Sequence, residues 1–313
     1  MTMQMKRREF ILGAAAFASS TAAHAFAAGK TSATPQRRSA ERQAALIDRW
    51  NDATMLVSPG DYRAYCKDGD TRNFVALKAL EHAFDKVKRE VAEAIAGSDA
   101  PAVWSIYNMG YIVKTRYATF SIDLKHRRAK EFAPLLDFAL CTHAHGDHFD
   151  GAFLRAMDSA GKKIVSNFHP NNGAEVSGLM KGENILHIKD ISIRTFSVDH
   201  ASEPWGIDFT TAFEIAIGGF RLLHTGDCRP SNDKLAVKWG APDLWLLFPM
   251  SGLDIADAMR RIHPKRVVFG HLWELGHKQT KGRAHKWHIN RAMPPALANC
   301  PDVSVGFWGD RIS

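Results

Sequence analysis

The residues best suited to chemistry form a short motif near the middle of the chain. Four potential metal ligands lie within six positions: His143, His145, Asp147 and His148. They follow the apolar run 138–142, which is typical of a buried strand, so they would lie in the loop at its end. The first two histidines can point the same way from an extended backbone, whereas the Asp-His pair follows a glycine and points elsewhere. The spacing predicts two metal-binding pairs; a chance cluster of surface histidines is the alternative.

The segment Thr142 to Gly151, THAHGDHFDG, resembles the first motif of the metallo-β-lactamase superfamily, His-x-His-x-Asp-His after a strand. The resemblance extends over roughly residues 104 to 308 and implies further ligands downstream, each after an apolar stretch: His200, Asp227 and His271. It implies that His143, His145 and His200 form site one, that Asp147, His148 and His271 form site two, and that Asp227 bridges the two ions. The fold it implies is a four-layered αβ/βα sandwich with the ligand loops along one edge.

A further carboxylate precedes the motif. Segments 111–115 and 118–123 have the pattern of a hairpin, and Asp123 ends its second strand. In proteins that this chain resembles, a carboxylate at such a position hydrogen-bonds the free nitrogen of a metal-bound histidine and fixes its orientation. We therefore expect Asp123 to support a ligand; an ordinary turn aspartate is the alternative.

The ligand set indicates the chemistry. Imidazole and carboxylate together suit two Zn²⁺ ions, and also Mn or Fe when several carboxylates contribute. Two such ions activate a bound hydroxide for hydrolysis, with Asp147 or Asp227 orienting it and passing a proton to the leaving group. A non-catalytic exported metal-binding protein is the main alternative. A flavin-partnered di-iron oxidoreductase of this fold has Glu where this chain has His145.

The substrate is less well specified. Segments 196–209 and 219–227 resemble ascorbate-6-phosphate lactonase-like proteins and phospholipase-D-type phosphodiesterases. That likeness implies a small-molecule or lipid-like ester, a lactone or phosphodiester, with a β-lactam or thioester as alternatives. Trp205, Trp273 and His277 fall near ligand loops and are candidate substrate contacts. Core packing for the tryptophans and solvent exposure for the histidine are the alternatives.

The first residues indicate export. Lys6-Arg7-Arg8 precedes an Ala-rich apolar stretch, the pattern of a twin-arginine signal peptide over 1–27, with cleavage after Ala25 or Ala27. An uncleaved anchor or a chance basic terminus is the alternative. The prediction is a periplasmic protein that passes through the twin-arginine export machinery and has no stable membrane insertion after cleavage.

Composition fits an ordinary exported enzyme. The formal charge of +8 comes from scattered basic residues, and the chain lacks room for the inserted domain and basic groove of nucleic-acid-processing relatives, so no nucleic-acid partner is expected. Four dispersed cysteines exclude a disulfide framework, although a Cys141–Cys228 bridge stays open.

The remaining segments must position the motif. Residues 28–40 have the composition of a flexible linker, and the domain is expected over 41–313, beginning with a helical extension at 41–97. Apolar residues recur at three- and four-residue steps over 74–95, which predicts an amphipathic helix. Shorter helices are expected at 151–157 and at 255–262, the latter capped by Asp254.

Overall fold

The computed structural model describes residues 39–94, 100–169, 182–200, 206–229, 232–250, 252–275 and 285–313. The expected signal peptide, its cleavage site and residues 28–38 of the expected linker lie outside these ranges, as do Trp205 and His277. At the far end of that linker, Ser39 caps a helix that begins at Ala40. Within the described ranges, no helix has both the length and the apolar character needed to cross a membrane.

Helices precede the first strand and lie between later strands. The α-helices are α1 (Ala40–Met55), α2 (Pro59–Asp68), α3 (Val75–Glu93), α4 (Gly151–Ser159), α5 (Ile255–Ile262) and α6 (His285–Leu297). The strands are β1 (Ala102–Ser105), β2 (Tyr111–Lys114), β3 (Thr119–Ile122), β4 (Phe138–Cys141), β5 (Lys163–Ser166), β6 (Asn184–Ile188), β7 (Ile191–Val198), β8 (Thr210–Ile217), β9 (Phe220–His224), β10 (Leu244–Leu247), β11 (Val267–Phe269) and β12 (Val303–Val305). Short 3-10 helices lie at Ala129–Leu135 and Asn232–Lys234.

The strands form two sheets that share an apolar core. One sheet has the order β1-β2-β3-β4-β5 and the other β12-β11-β10-β9-β8-β7-β6. Successive strand residues face opposite sides, so Leu140 and Leu246 join one buried cluster with residues of both sheets, whereas the adjacent Ala139 and Trp245 join the cluster that includes the helices. This layering is the predicted αβ/βα sandwich, and the fold class is confirmed.

The N-terminal helices are part of the core. The helix predicted over 74–95 is α3, and its apolar stripe is buried, with Phe84 and Val87 fully inaccessible to solvent. On α1, the ring of Trp50 lies 4.7 Å from that of Trp308 and 6.1 Å from that of Trp273. Because these aromatic rings are buried together, the helical extension packs against the sandwich and stabilises it.

Local signals also placed the shorter elements correctly. Strands β2 and β3 pair antiparallel, as the hairpin prediction requires, and Asp123 directly follows β3. Helix α5 begins where predicted, with the side chain of Asp254 accepting a hydrogen bond from the Asp257 amide at 3.0 Å. The Asp150 side chain caps α4 in the same way.

The cysteines are all described and all free. The bridge left open by the sequence is therefore absent, and Cys141 and Cys228 are buried thiols. Burial raises the pKa of Cys228 to about 12 and also raises that of Cys141, so both stay neutral. They behave as small apolar side chains of the core.

Candidate metal centre

Four strands deliver the candidate ligands to one edge of the sandwich. The motif 143–148 follows β4, His200 follows β7, Asp227 follows β9 and His271 follows β11. Strands β9, β10 and β11 are parallel neighbours, so the loops after β9 and β11 open on the same side. Tertiary structure thus brings together ligands that are up to 128 positions apart in the sequence.

Close approach of two of these loops depends on a glycine. Gly226 has a φ of +49°, and a Cβ there would lie 2.9 Å from the Thr142 Oγ1 and 2.8 Å from the Thr210 Cγ2. Any larger side chain would push the Asp227 loop away from the loop that carries the motif. Gly226 is therefore required by the packing of the centre.

Site one is formed by His143, His145 and His200. Their ligand atoms, together with a carboxylate oxygen of Asp227, all lie within 4.8 Å of one another. The ring of Phe209 packs against all three imidazoles at centroid distances of 5.0 to 5.7 Å. An apolar wall on one side and converging nitrogens on the other suit a directed metal–imidazole bond.

Site two is formed by Asp147, His148 and His271. The Nε2 atoms of the two histidines are 3.2 Å apart, and that of His271 lies 3.3 Å from the Asp147 Oδ2. The ring of Phe248 stacks on His271 at a centroid distance of 4.0 Å. Two imidazole nitrogens and a carboxylate therefore face the same small volume.

Asp227 lies between the two sites. Its Oδ1 is 3.3 Å from the Nε2 atoms of His148 and of His271, and its Oδ2 is 3.4 Å from the Nε2 of His200. One carboxylate oxygen thus faces each of the two ligand groups. The carboxylate is largely buried, so its charge must be compensated locally.

Unpaired polar atoms show that a divalent ion fits these residues. The buried Nε2 atoms of His143 and His200 and the Oδ1 of Asp227 make no hydrogen bond to any described residue. Buried polar groups normally find partners, so the convergence of several without a hydrogen bond is what a cation-binding site requires. A donor set of imidazole nitrogens and carboxylate oxygens suits Zn²⁺, Fe or Mn.

Asp123 fixes the orientation of two ligands. Its Oδ2 lies 2.8 Å from the Nδ1 of His148 and 2.7 Å from the Oγ1 of Thr142, and that hydroxyl lies 2.9 Å from the Nδ1 of His143. A consistent assignment has His148 donating to Asp123, while His143 donates to Thr142, which donates to Asp123 in turn. In this assignment each Nδ1–H donates away from the centre, so both Nε2 atoms are directed towards the centre as the nitrogens available to a metal.

Buried charges shift the pKa values of the centre. Burial lowers the pKa of His148, but the carboxylates of Asp227, Asp123 and Asp147 outweigh it and hold that pKa well above the usual range. At His271 burial acts in the same direction, and Asp227 and Asp147 raise the pKa to about 10. Site two therefore favours positive charge, which protons on the imidazoles or a bound metal cation can supply.

In site one, the pKa values of two histidines are lowered instead. Burial and the neighbouring His148 hold the pKa of His143 well below its usual range, and burial and His200 lower that of His145. Burial raises the pKa of Asp227, yet His271 and His148 outweigh it and keep this pKa well below the usual carboxyl range. Neutral imidazoles and an ionised aspartate are the protonation states that metal binding requires.

Sequence reasoning missed two supporting residues. Thr142 links Asp123 to His143, and Asn108 donates from its Nδ2 to the Asp147 Oδ2 at 2.8 Å. The available signal for Asn108 was weak: an asparagine two residues before a glycine, between two strands. Thr142 had no separate signal, because its role depends on the pairing of β3 with β4.

The candidate substrate contacts are not grouped at the centre. Trp273 is 1% exposed, its Nε1 donates to the Gly306 carbonyl at 3.2 Å, and its ring stacks on Phe307. The alternative of core packing therefore replaces the suggested pocket role. Trp205 and His277 lie outside the described residues.

Sequence relatives share the centre of the chain. Residues 118–277, just over half of the length, match the family described as "Beta-lactamase superfamily domain". A metal-dependent hydrolase from Rubrobacter xylanophilus is 29% identical over 157 residues, which cover 42% of this chain and 62% of that protein. The match thus spans less than two thirds of the relative's own length.

Solved structures share the fold at low identity. A possible metal-dependent hydrolase from Veillonella parvula superposes with a TM-score of 0.50 at 13% identity, over 68% of this chain and 98% of that one. CmlA, a diiron β-hydroxylase from Streptomyces venezuelae, superposes with a TM-score of 0.50 at 11% identity, over 67% and 53% of the two chains. These likenesses concern the fold alone, and proteins of this fold are thus described with hydrolytic and with oxidative chemistry.

Proposed function

This chain belongs to the metallo-β-lactamase superfamily, and we propose that it is a dinuclear metal-dependent hydrolase of an ester-type bond. The observation that carries the proposal is the position of Asp227, which turns one carboxylate oxygen towards each of two ligand groups. A single structural ion would need only one such group. Two adjoining groups that share a carboxylate are suited to two ions acting together.

The residues of the centre have different proposed roles. When bound, two divalent ions would lower the pKa of a water molecule and polarise the scissile oxygen. Asp227 holds the two sites at a constant separation, and Asp123 and Thr142 keep the imidazoles turned inward. Asp147 has 23% of its side chain exposed, more than the 7% of Asp227, so it is better placed to pass a proton to a leaving group.

The open side of the centre is defined by the motif loop. His145 is exposed and Asp147 is half-buried, whereas His143 and His148 are inaccessible to solvent. Among the described residues, His145 and Asp147 are therefore the ligands most accessible to a substrate. The proposed substrate is a small-molecule or lipid-like ester, with a lactone or phosphodiester as the first choice and a β-lactam or thioester as alternatives.

Zn²⁺ is the proposed metal, with Mn and Fe as alternatives, because histidines supply most ligands. His145 argues against oxidative chemistry of the flavin-partnered di-iron type, whose proteins carry a glutamate at this position. The proposed setting is the periplasm, reached through twin-arginine export. Lys replacement of both Arg7 and Arg8 should leave the precursor in the cytoplasm, and cell fractionation would detect it there; normal delivery would contradict this route.

A metal analysis combined with a hydrolysis panel tests the activity. Purified protein should bind close to two divalent ions per chain. Protein loaded with Zn²⁺ or Mn²⁺ should hydrolyse a member of a panel of lactones, phosphodiesters, phospholipids, thioesters and β-lactams. Folded protein that takes up no metal would refute the proposal. Two bound ions without turnover on any ester would favour the non-catalytic metal-binding protein.

A further inference from the structure

Asn108 lies where two segments of the metal centre cross. It belongs to the turn between β1 and β2, is 3% exposed, and has a φ of +57°. Its carbonyl accepts a hydrogen bond from the His271 amide at 3.1 Å, and it pairs with Leu272 in an isolated β-bridge. The backbone of Asn108 is thus attached to the loop that carries a ligand of site two.

The side chain of Asn108 reaches a second ligand. Its Nδ2 donates to the Asp147 Oδ2 at 2.8 Å and lies 3.4 Å from the His271 Nε2. The same carboxylate oxygen faces the Nε2 atoms of His271 and His148, at 3.3 and 3.6 Å. The amide therefore contacts the oxygen of Asp147 that is nearest to the other ligands of site two.

Two features of this residue are unfavourable for folding. A left-handed backbone is strained for a residue other than glycine, although asparagine tolerates it better than most. The Asn108 Oδ1 is buried and makes no hydrogen bond to any described residue. His271, with a φ of +55°, is strained on the facing loop. Strain and unpaired polar atoms concentrated at one point are typical of functional sites.

We propose that Asn108 is a positioning residue that holds the Asp147 carboxylate in the orientation required by site two. Its N–H occupies one lone pair of the Oδ2, restricts rotation of the carboxylate and leaves the remaining lone pairs for an ion. Asn108 makes no hydrogen bond to the site one histidines among the described residues, so its effect should be selective for site two. The inference rests on the proposed function only in requiring that the centre binds two ions.

Three variants separate the amide from the backbone. Asn108→Gly removes the amide and relieves the left-handed strain, whereas Asn108→Ala removes the amide and retains the strain. The matched control is Asn73→Gly, because Asn73 also has a positive φ, of 63°, but is exposed and distant in sequence from the metal ligands. Its Oδ1 accepts a hydrogen bond from the Lys78 Nζ. Thermal unfolding of the metal-free proteins reports whether each variant is folded, and Asn108→Gly alone suffices for the metal measurement if Asn108→Ala does not fold.

Metal titration gives the decisive readout. Metal-free protein is titrated with Zn²⁺ against a chelator and with Co²⁺, whose visible absorption reports the geometry of each site. We expect both Asn108 variants to bind one of the two ions about 10–100-fold more weakly, with an altered Co²⁺ spectrum for that ion, and Asn73→Gly to match the wild type. The inference would be overturned if Asn108→Gly bound both ions with wild-type affinity, or if its affinity for both ions fell equally. Weakening in Asn108→Ala alone would assign the effect to the backbone and also overturn it.

A double-mutant cycle tests whether Asn108 acts through Asp147. If it does, Asn108→Gly should add little to the loss of affinity caused by Asp147→Asn. Fully additive losses would show an independent route and contradict the proposed role. A wild-type protein that binds fewer than two ions would instead refute the proposed function, so the two failures can be told apart.

Discussion

Two buried polar clusters in this protein differ in how their hydrogen bonds are completed. Outside the metal centre, Tyr65, Glu81 and His126 join α2 and α3 to the segment after β3. The Tyr65 hydroxyl lies 2.8 Å from a Glu81 oxygen and 2.9 Å from the His126 Nε2, and the His126 Nδ1 accepts from the Arg128 amide at 3.1 Å. We call these residues the helix-anchoring cluster.

Protein groups alone complete the helix-anchoring cluster. Burial lowers the pKa of His126 to about 3, so its ring is neutral, and it can donate to Tyr65, which donates to Glu81. Arg127 and Arg128 balance the Glu81 charge. In the metal centre, by contrast, the Nε2 atoms of His143 and His200 and the Oδ1 of Asp227 converge without a hydrogen bond to any described residue. Burial of polar residues therefore does not by itself mark a binding site, whereas convergent polar atoms without hydrogen bonds do.

The largest expected effect comes from removing the shared carboxylate. Asp227→Ala should weaken the binding of both ions, because this one side chain faces both sites. Turnover should fall together with metal content. Because Asp227 is a proposed direct ligand, its loss should lower metal affinity by more than the about 10–100-fold that is typical of supporting residues. Metal analysis after gel filtration measures the loss, and Asp243→Ala, immediately before β10, is a control. Retention of both ions and of activity would contradict the bridging role.

Asp123→Asn should have a smaller effect on the same centre. The substitution preserves shape and one acceptor oxygen but removes the charge that supports His148, so metal affinity or turnover should fall about 10–100-fold. Chelator competition and steady-state kinetics give the two values. If this variant lost metal as completely as Asp227→Ala, Asp123 would be a direct ligand.

Proton competition should make metal binding depend on pH. The pKa of His148 is held well above its usual range and that of His271 is about 10, so ions must displace protons from site two. Affinity of this site should therefore rise with pH up to about that value, by about tenfold per pH unit for each proton displaced. Metal titration between pH 6 and 9 in two buffers of different ionisation enthalpy counts the released protons. A flat profile would be inconsistent with protonated histidines.

The smallest effect on the metal centre is expected from the helix-anchoring cluster. Tyr65→Phe removes the hydroxyl between Glu81 and His126 and should lower the free energy of unfolding by about 1–3 kcal/mol, because buried polar groups lose a partner. Metal content and turnover should match the wild type. Urea unfolding of metal-loaded protein measures the free energy of unfolding, and metal analysis measures the number of bound ions. Loss of an ion in folded Tyr65→Phe would show that the two clusters are coupled.

The local predictions succeeded where neighbouring residues decide the outcome. The motif 143–148 lies in a loop after a buried strand, the hairpin ends at Asp123, and α3 and α5 lie where periodicity and capping place them. The prediction for Trp273 failed because nearness to a ligand along the chain does not specify which way a ring turns. The ring of Trp273 instead packs in the aromatic core, stacked on Phe307.

The ligand types and the strand before each ligand follow from the sequence, because they depend on spacing, side-chain chemistry and hydrophobic periodicity over short windows. The layered fold and the shared role of Asp227 were implied by the family resemblance. The tertiary structure supplies the distances from Asp227 to both groups and two contacts that were not predicted: Thr142 relays between Asp123 and His143, and Asn108 donates to Asp147. Each of these contacts joins residues from different strands or loops. Their geometry is set by the packing of two sheets and by close approaches such as that at Gly226, which no local pattern encodes.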